Sequence, residues 1–396
     1  MTWPGTRTCR RRGLPTRWAK ATCCLVVFAG GCASGPPPRA AATTGWWGPA
    51  RSNVDLLDPP WDYTRDCGYS AEVAAGTGDA LWVFCDTART RPTSQFFTST
   101  AARGPTTVAQ APTKLVELGP AHEFGQFIPA PSDLSCPGGY TPPWTNGMTA
   151  RSGTTQVLIT YEVFCATAST LTPLRFGIAT YDTATRTFTS NRPDLFTGSP
   201  LPKSQRLQDP VIFDDGTGDA VYFTIPECTA PALGACNSGT IKVARAPIGR
   251  GRGWEDRTQY QWWNGTTWSS DAAAAASVIA TITPTATSTQ RFAGVSGGPF
   301  VLLEQTAVDG AFRVWTAPAP TGPWTLRRKG LKVPDCGAGT GIDLCRAIIG
   351  HPELSTPTKI AYSAYRPSDH HVGVGWFNLD DKSEANGTTV PVRASR

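Results

Sequence analysis

Two aspartates bracket one strand-turn-strand unit: Asp66 in Asp66-Cys67-Gly68-Tyr69-Ser70 and Asp86 in Leu81-Trp82-Val83-Phe84-Cys85-Asp86-Thr87. Each sits where a strand meets a turn. A pair of carboxyl groups a few ångströms apart is what cleavage of a glycosidic bond requires. One protonates the departing oxygen, and the other attacks the sugar carbon or activates water. The same residues can instead cap turns through their side chains, because Asp-Thr and Asp-x-Gly are good turn formers.

Other residues could support such chemistry. Asp209 stands in Leu207-Gln208-Asp209-Pro210, where a like charge would raise the pKa of a neighbouring acid or an Asp-Pro pair would simply start a turn. Glu304 ends the apolar run Phe300-Val301-Leu302-Leu303. It is an alternative acid, and it needs a partner if buried. His351 and Glu353 open a late unit, and His351 suits a sugar, an axial ion or a structural role. His370 and His371 are adjacent, so on a strand they face opposite ways and do not share a metal. No metal or other cofactor is expected. Tyr69, Trp82, Trp144, Trp262, Trp263, Trp268 and Tyr365 could stack on sugar rings, although most such aromatics pack inside a sheet protein. Trp144, in Thr141-Pro142-Pro143-Trp144-Thr145-Asn146-Gly147, is the best placed. Trp262-Trp263-Asn264-Gly265-Thr266-Thr267-Trp268 reads as a hairpin around an Asn-Gly turn. Gly294-Val295-Ser296-Gly297-Gly298 matches GxSxG as a string, but it leads into the apolar run Phe300-Val301-Leu302-Leu303 rather than a helix and so makes no nucleophile elbow, and no free cysteine lies near a histidine, which argues against serine and cysteine hydrolases.

The elements that must hold these residues repeat. Five units share one plan: a short strand, a polar or Gly-rich turn, then a strong apolar strand. They run Gly68 to Cys85, Met148 to Cys165, Pro210 to Ile225, Phe292 to Gln305 and His351 to Tyr365. Most continue into a third strand, such as Phe176-Gly177-Ile178-Ala179-Thr180-Tyr181 or Phe312-Arg313-Val314-Trp315-Thr316-Ala317. Helical periodicity is almost absent, and the run Asp271 to Ala276 is the one obvious helix former. Units spaced by roughly 50–80 residues predict an all-β, five-bladed β-propeller with about four strands per blade. The competing reading is a β-sandwich, which seldom uses about 350 residues in one sheet pair.

The start of the chain reads as an export signal. Arg10, Arg11, Arg12, Arg17 and Lys20 precede an apolar run from Ala21 to Ala29, followed by Gly30-Gly31-Cys32. Ala29-Gly30-Gly31-Cys32 resembles a bacterial lipobox, with Cys32 as the lipidation site, and the alternative is an ordinary cleaved signal. The run is too short to span a bilayer, which takes about 20 residues. The expected organisation is a signal over 1–31, a flexible linker over 32–45 rich in Pro, Ala and Thr, a propeller over 46–380 and a tail over 381–396. The formal charge of +6 rests largely on the leader, and no basic stripe supports nucleic-acid binding. The composition leans to Ala, Arg, Gly, Pro and Thr, as in a high-GC actinobacterial genome.

Of 12 cysteines, eight lie beyond the leader and Cys32, as near neighbours: Cys67 and Cys85, Cys136 and Cys165, Cys228 and Cys236, Cys336 and Cys345. In an exported chain this suggests four local disulfides, although eight cysteines permit about a hundred connectivities. A zinc site is the other option, but there is no CxxC spacing.

The ending Ala317-Pro318-Ala319-Pro320-Thr321-Gly322-Pro323-Trp324 resembles blade endings of five-bladed glycosidases such as arabinanases, xylosidases and fructan-cleaving enzymes. The segments around Asp66 and Asp86 are similar to the D-G-x-S and L-W-x-F-G-D-T pattern of an actinobacterial propeller family that includes enzymes cleaving cell-wall D-arabinan. Gly350-His351-Pro352-Glu353-Leu354-Ser355 is similar to its last-blade motif. The likeness spans about five scattered motifs over most of the mature chain. One departure is Cys85, where the family has Gly. The resemblance implies that Asp66 and Asp86 form the catalytic couple, with a lean toward Asp66 as nucleophile. It implies a hydrolase of a wall polysaccharide; with the leader, the expected protein is a monomer that is exported or lipid-anchored at Cys32. A non-catalytic propeller that binds wall glycan or a protein partner is the alternative.

Overall fold

The computed structural model describes strand Val54–Asp55 and residues 63–380, apart from 74–76, 90–93, 109–111, 113–114, 120–124, 217, 233–234, 250–251, 334–335, 337–343 and 368–369. The signal, Cys32, the linker and the tail lie outside the described residues. The fold is the expected five-bladed propeller. Blade 1 holds Tyr63–Glu72, Asp79–Arg89, Thr100–Pro105 and Val116–Glu117, plus an extra strand, Gln95–Phe97, on its second strand. Blade 2 holds Pro143–Ala150, Gln156–Ala166, Leu171–Asp182 and Thr187–Thr197. Blade 3 holds Gln208–Asp214, Asp219–Cys228 and Gly239–Pro247, with the hairpin Gln261–Trp263 and Trp268–Ser269 and strand Ser277–Ile282 at its outer side. Blade 4 holds Ala286–Arg291, Phe300–Gln305, Ala311–Ala317 and Thr325–Lys332. Blade 5 holds Arg346–Gly350, Lys359–Arg366 and His371–Asn378, and Val54–Asp55 from the chain start is its outermost strand. That pairing ties the two ends of the domain together and closes the ring.

The five first strands contact one another in ring order and line the axis. The second strand of each blade is sandwiched between neighbouring blades, so both of its faces are apolar. In blade 1, Ala80, Trp82 and Phe84 face blade 5, packing on Leu354, Ala361 and Trp376. Leu81 and Val83 face blade 2, packing on Met148, Ile159 and Tyr161. This is strand alternation with a hydrophobic partner on each side. Separate clusters fill the other gaps, such as Phe176, Phe223 and Tyr260 between blades 2 and 3, and Phe312, Tyr362 and Phe377 between blades 4 and 5. The core is therefore five wedges, and each large side chain buried in one contributes about 1.5–3 kcal/mol.

All four neighbour disulfides form: Cys67–Cys85, Cys136–Cys165, Cys228–Cys236 and Cys336–Cys345. They fit an exported protein. The alanine run yields only one short 3-10 turn, Ala272–Ala274, capped by the Asp271 carboxylate accepting from the Ala273 amide. No helix among the described residues is long and apolar enough to cross a membrane.

Candidate active site

The site lies at the mouth where the first strands begin. In blade 1 the ladder jumps from Arg65↔Thr87 to Cys67↔Phe84, so Asp66 falls opposite Cys85 and Asp86. The two aspartates are thus ladder neighbours, with backbones about 5 Å apart, and the Cys67–Cys85 bond clamps the strands between them. Cys67 takes a left-handed φ of 67°, and Gly68 follows at 110°. A β-carbon on Gly68 would lie 2.7 Å from the Val372 side chain, so glycine is needed there for space as well as for φ. Bulges of this kind re-aim side chains next to active sites.

The same irregularity recurs around the ring. The first strands of blades 2, 3 and 5 also slip register, at Thr145/Gly147, Gln208/Val211 and Arg346/Ile349. Asp209 and Ala347 hold φ of 50° and 55°, a strained region for residues other than glycine. Gly147 lets the Asp209 backbone approach, since a β-carbon there would lie 2.6 Å from the Asp209 Cα and N.

The two aspartates have opposite surroundings. Asp66 Oδ2 accepts from Arg346 Nε at 2.7 Å, and its Oδ1 accepts from the Cys67 amide at 2.7 Å. Arg346 is braced by stacking 4.3 Å from the Tyr365 ring. Asp86 is held only by neutral donors: Tyr140 OH on Oδ2 at 2.7 Å and Trp144 Nε1 on Oδ1 at 2.7 Å. Burial pushes the Asp86 carboxyl up to about 7; the Tyr140 and Trp144 hydrogen bonds pull it down, the Asp66 charge raises it and Arg346 lowers it. The two carboxyl groups thus sit in unlike surroundings, one on a guanidinium and the other on neutral donors.

Asp209 is the third acid of the same mouth. It is 1 % exposed, and its Oδ2 accepts from Thr224 Oγ1 at 3.3 Å. Burial raises its carboxyl well above the usual range, with the Thr289 amide and Thr224 only partly offsetting this. Tyr69 lies near both. Burial, then the Asp209 and Asp66 charges, hold its phenol protonated well above pH 10. Asp66, Asp86, Asp209, Tyr69 and Trp144 therefore converge, and Trp144 serves through its indole N–H.

Glu304 does not join them. It is fully buried between blades 3 and 4, where it accepts from the Thr283 amide and hydroxyl at 2.7 and 2.8 Å and from Trp315 Nε1 at 2.7 Å, and pairs with Arg313 at 3.0 Å. It is a saturated structural carboxylate. His351 and Glu353 follow the first strand of blade 5 rather than opening the blade. His351 is buried, 4.8 Å from the Trp82 ring, with Nδ1 2.5 Å from Ser70 Oγ, and Ser70 donates in turn to Glu353. These groups tie blade 5 to blade 1 further along the first strand. Glu353 and Ser70 line a cavity of about 790 Å³ at the opposite mouth, with Glu72, Arg151, Asp214 and Arg291. Trp82 and Trp262 are core residues, and Trp263 and Trp268 face each other across the blade 3 hairpin. His370 is exposed and bonded to Tyr365, whereas His371 is buried. Among the described residues no group of three His, Cys, Asp or Glu side chains could hold a metal.

Sequence reasoning missed Arg346, Tyr140 and Glu162. Arg346 heads its first strand much as Asp66 heads blade 1, so aligning the blade starts would have drawn attention to it. Glu162 is buried beside the strand carrying Trp144 and is held by Arg206 at 2.6 and 3.2 Å. Tyr140 precedes its blade and carries no local signal.

No protein-family model matches the sequence, and no curated protein does. Solved structures do match. A Bacteroides ovatus protein assigned as a hydrolase shares 12 % identity at a TM-score of 0.58, over 84 % of this chain and 90 % of that one. A glycoside hydrolase family 43 enzyme of Xanthomonas citri, solved with xylotriose, shares 14 % over 83 % and 90 %, at a TM-score of 0.42. A family 93 α-L-arabinofuranosidase of Fusarium graminearum, solved with arabinobiose, shares 10 % over 83 % and 98 %, at 0.42. The protein is a five-bladed propeller that shares its overall fold with the Bacteroides ovatus protein.

Proposed function

We propose that the protein is a glycoside hydrolase acting on cell-wall arabinan or a related polysaccharide. Asp86 is the general acid and Asp66 the charged partner. The observation that carries this reading is the unequal support of two ladder neighbours: one carboxylate on an arginine, the other on neutral donors with its pKa near 7. At neutral pH Asp86 can hold a proton and pass it to the departing oxygen. Asp66 then attacks the sugar carbon, directly or through water. The Tyr69 phenol borders the same hollow and, in this reading, contacts the sugar hydroxyls, with the buried Asp209 carboxyl supporting it from nearby. Lipidation at Cys32, with 32–45 as a tether, would hold the domain against the wall, and Cys32→Ala would then release it to the medium.

Incubation of the purified domain with arabinogalactan is expected to release oligosaccharides. Asp66→Asn and Asp86→Asn should each abolish release while the thermal melt moves by no more than a few degrees. Release that survives both changes rejects the assignment. Binding without release by the wild type would instead identify a non-catalytic glycan-binding propeller.

A further inference from the structure

Beside Asp86, blades 1 and 2 present a row of partly exposed rings. Phe96 lies on the extra strand Gln95–Phe97, which pairs with the residues just after Asp86 through Thr87↔Phe97 and Ala88↔Phe96. Its ring meets Tyr140 edge-on at 5.6 Å, Tyr140 meets Trp144 at 6.5 Å, and Trp144 meets Phe164 at 5.2 Å. Phe96 is 40 % exposed and the other three are half-buried, whereas Trp82 and Phe84 in blade 1 are wholly buried. The two middle rings are the ones that donate to Asp86.

The row is held rigidly. Cys136–Cys165 and the Tyr140↔Ala166 bridge fasten the segment before blade 2 onto that blade's second strand. A β-carbon at Gly139 would lie 2.0 Å from the Ala166 carbonyl oxygen, so glycine is required for so close an approach. Blade 1 is the only blade whose second strand carries such an added strand among the described residues, and that strand brings Phe96 to the row.

Contiguous exposed apolar rings mark a binding surface, and rings with a polar tip suit a ligand with both apolar faces and hydroxyl edges. Position identifies the occupant. A general acid protonates the oxygen that leaves, so the part of the substrate attached to that oxygen must lie on the acid's side. The row is built on blades 1 and 2 and its two middle rings hold Asp86, whereas Asp66 is held by Arg346 of blade 5.

Resting on the hydrolase reading, we propose that Phe96, Tyr140, Trp144 and Phe164 form the subsites for sugar units on the leaving-group side of the scissile bond. The preferred substrate is therefore a chain that continues beyond the cut, rather than a single sugar carrying a small aglycone.

The test compares kcat/KM for arabinofuranose oligosaccharides of increasing length with kcat/KM for a p-nitrophenyl arabinofuranoside, which has no leaving-group sugars. In the wild type the ratio of oligosaccharide to aryl glycoside should rise with length. In the Phe96→Ala/Phe164→Ala double variant it should fall by about tenfold, equivalent to about 1.4 kcal/mol. Phe96→Tyr/Phe164→Tyr should restore it, which separates the loss of rings from a folding defect. An active wild type with an unchanged ratio in the Ala variant overturns the subsite proposal and leaves the hydrolase reading standing. A wild type that cleaves neither substrate overturns both.

Discussion

Blades 1 and 4 each carry an acidic side chain near the end of the second strand, yet they treat it in opposite ways. In blade 4 the first and second strands pair without a slip, from Ala286↔Gln305 to Arg291↔Phe300. Glu304 on that regular ladder is fully buried, and its three partner residues, Thr283, Trp315 and Arg313, include a cation. In blade 1 the ladder slips twice, and Asp86 is left with two neutral donors and a neighbouring charge. Both carboxyl groups are largely withdrawn from water. The difference lies in what replaces the water. Glu304 is met by a cation and a full set of donors, whereas Asp86 has neutral donors and burial raises its carboxyl.

The sharpest way to break this contrast is to neutralise each acid in turn. Asp86→Asn should lower polysaccharide hydrolysis by about 10²–10⁴-fold, the range for loss of a general acid. Glu304→Gln should leave hydrolysis within about threefold but destabilise by about 2 kcal/mol, since it strips the Arg313 charge of its partner. Calorimetry and a hydrolysis assay on both variants would read this, and a Glu304 variant as inactive as Asp86→Asn would erase the distinction.

Removing Cys136–Cys165 as a serine pair should destabilise by about 3 kcal/mol from loop closure. It should also slow turnover, because Tyr140 loses its brace; the Cys228–Cys236 serine pair should lower the melt without affecting turnover. Equal turnover in both pairs would detach the clamp from the site.

A smaller effect follows from linkage. Asp86 titrates higher in the fold than in the unfolded chain, so the fold favours its protonated form and loses stability as pH rises from about 4 through 7. Asp86→Asn should therefore melt about 2 °C above the wild type at pH 8 and match it at pH 4. Smaller again is Tyr140→Phe. It removes a bond that pulls the Asp86 carboxyl down, so the alkaline limb of the pH–rate profile should move to higher pH.

Much of this architecture was legible because each second strand is apolar on both faces. Ala80-Leu81-Trp82-Val83-Phe84 and Phe300-Val301-Leu302-Leu303 stand out without any alternation to decode. The cysteines paired with their neighbours because each pair joins adjacent segments. The outer strands were not legible: Val116–Glu117 and Val54–Asp55 are two residues long, too short for a pattern, and the second belongs to a blade at the other end of the chain. Asp66, Asp86 and Asp209 could be nominated from sequence because carboxylates beside turn-forming residues are conspicuous. Arg346 could not, since its pairing with Asp66 spans 280 residues and only ring closure brings the two together. Glu304 could be recognised as needing a partner. That the partners would be Thr283, Trp315 and Arg313, and so remove it from the chemistry, depended on how blade 4 meets blade 3.

The most direct measurement separates the roles of the two aspartates by changing the leaving group. On a dinitrophenyl arabinofuranoside, whose leaving group departs without a proton, Asp86→Asn should retain most of its turnover while losing cleavage of arabinan. Asp66→Asn should lose both. If the two variants respond alike, or if Asp86→Asn still cleaves arabinan at the wild-type rate, the division into proton donor and charged partner is wrong.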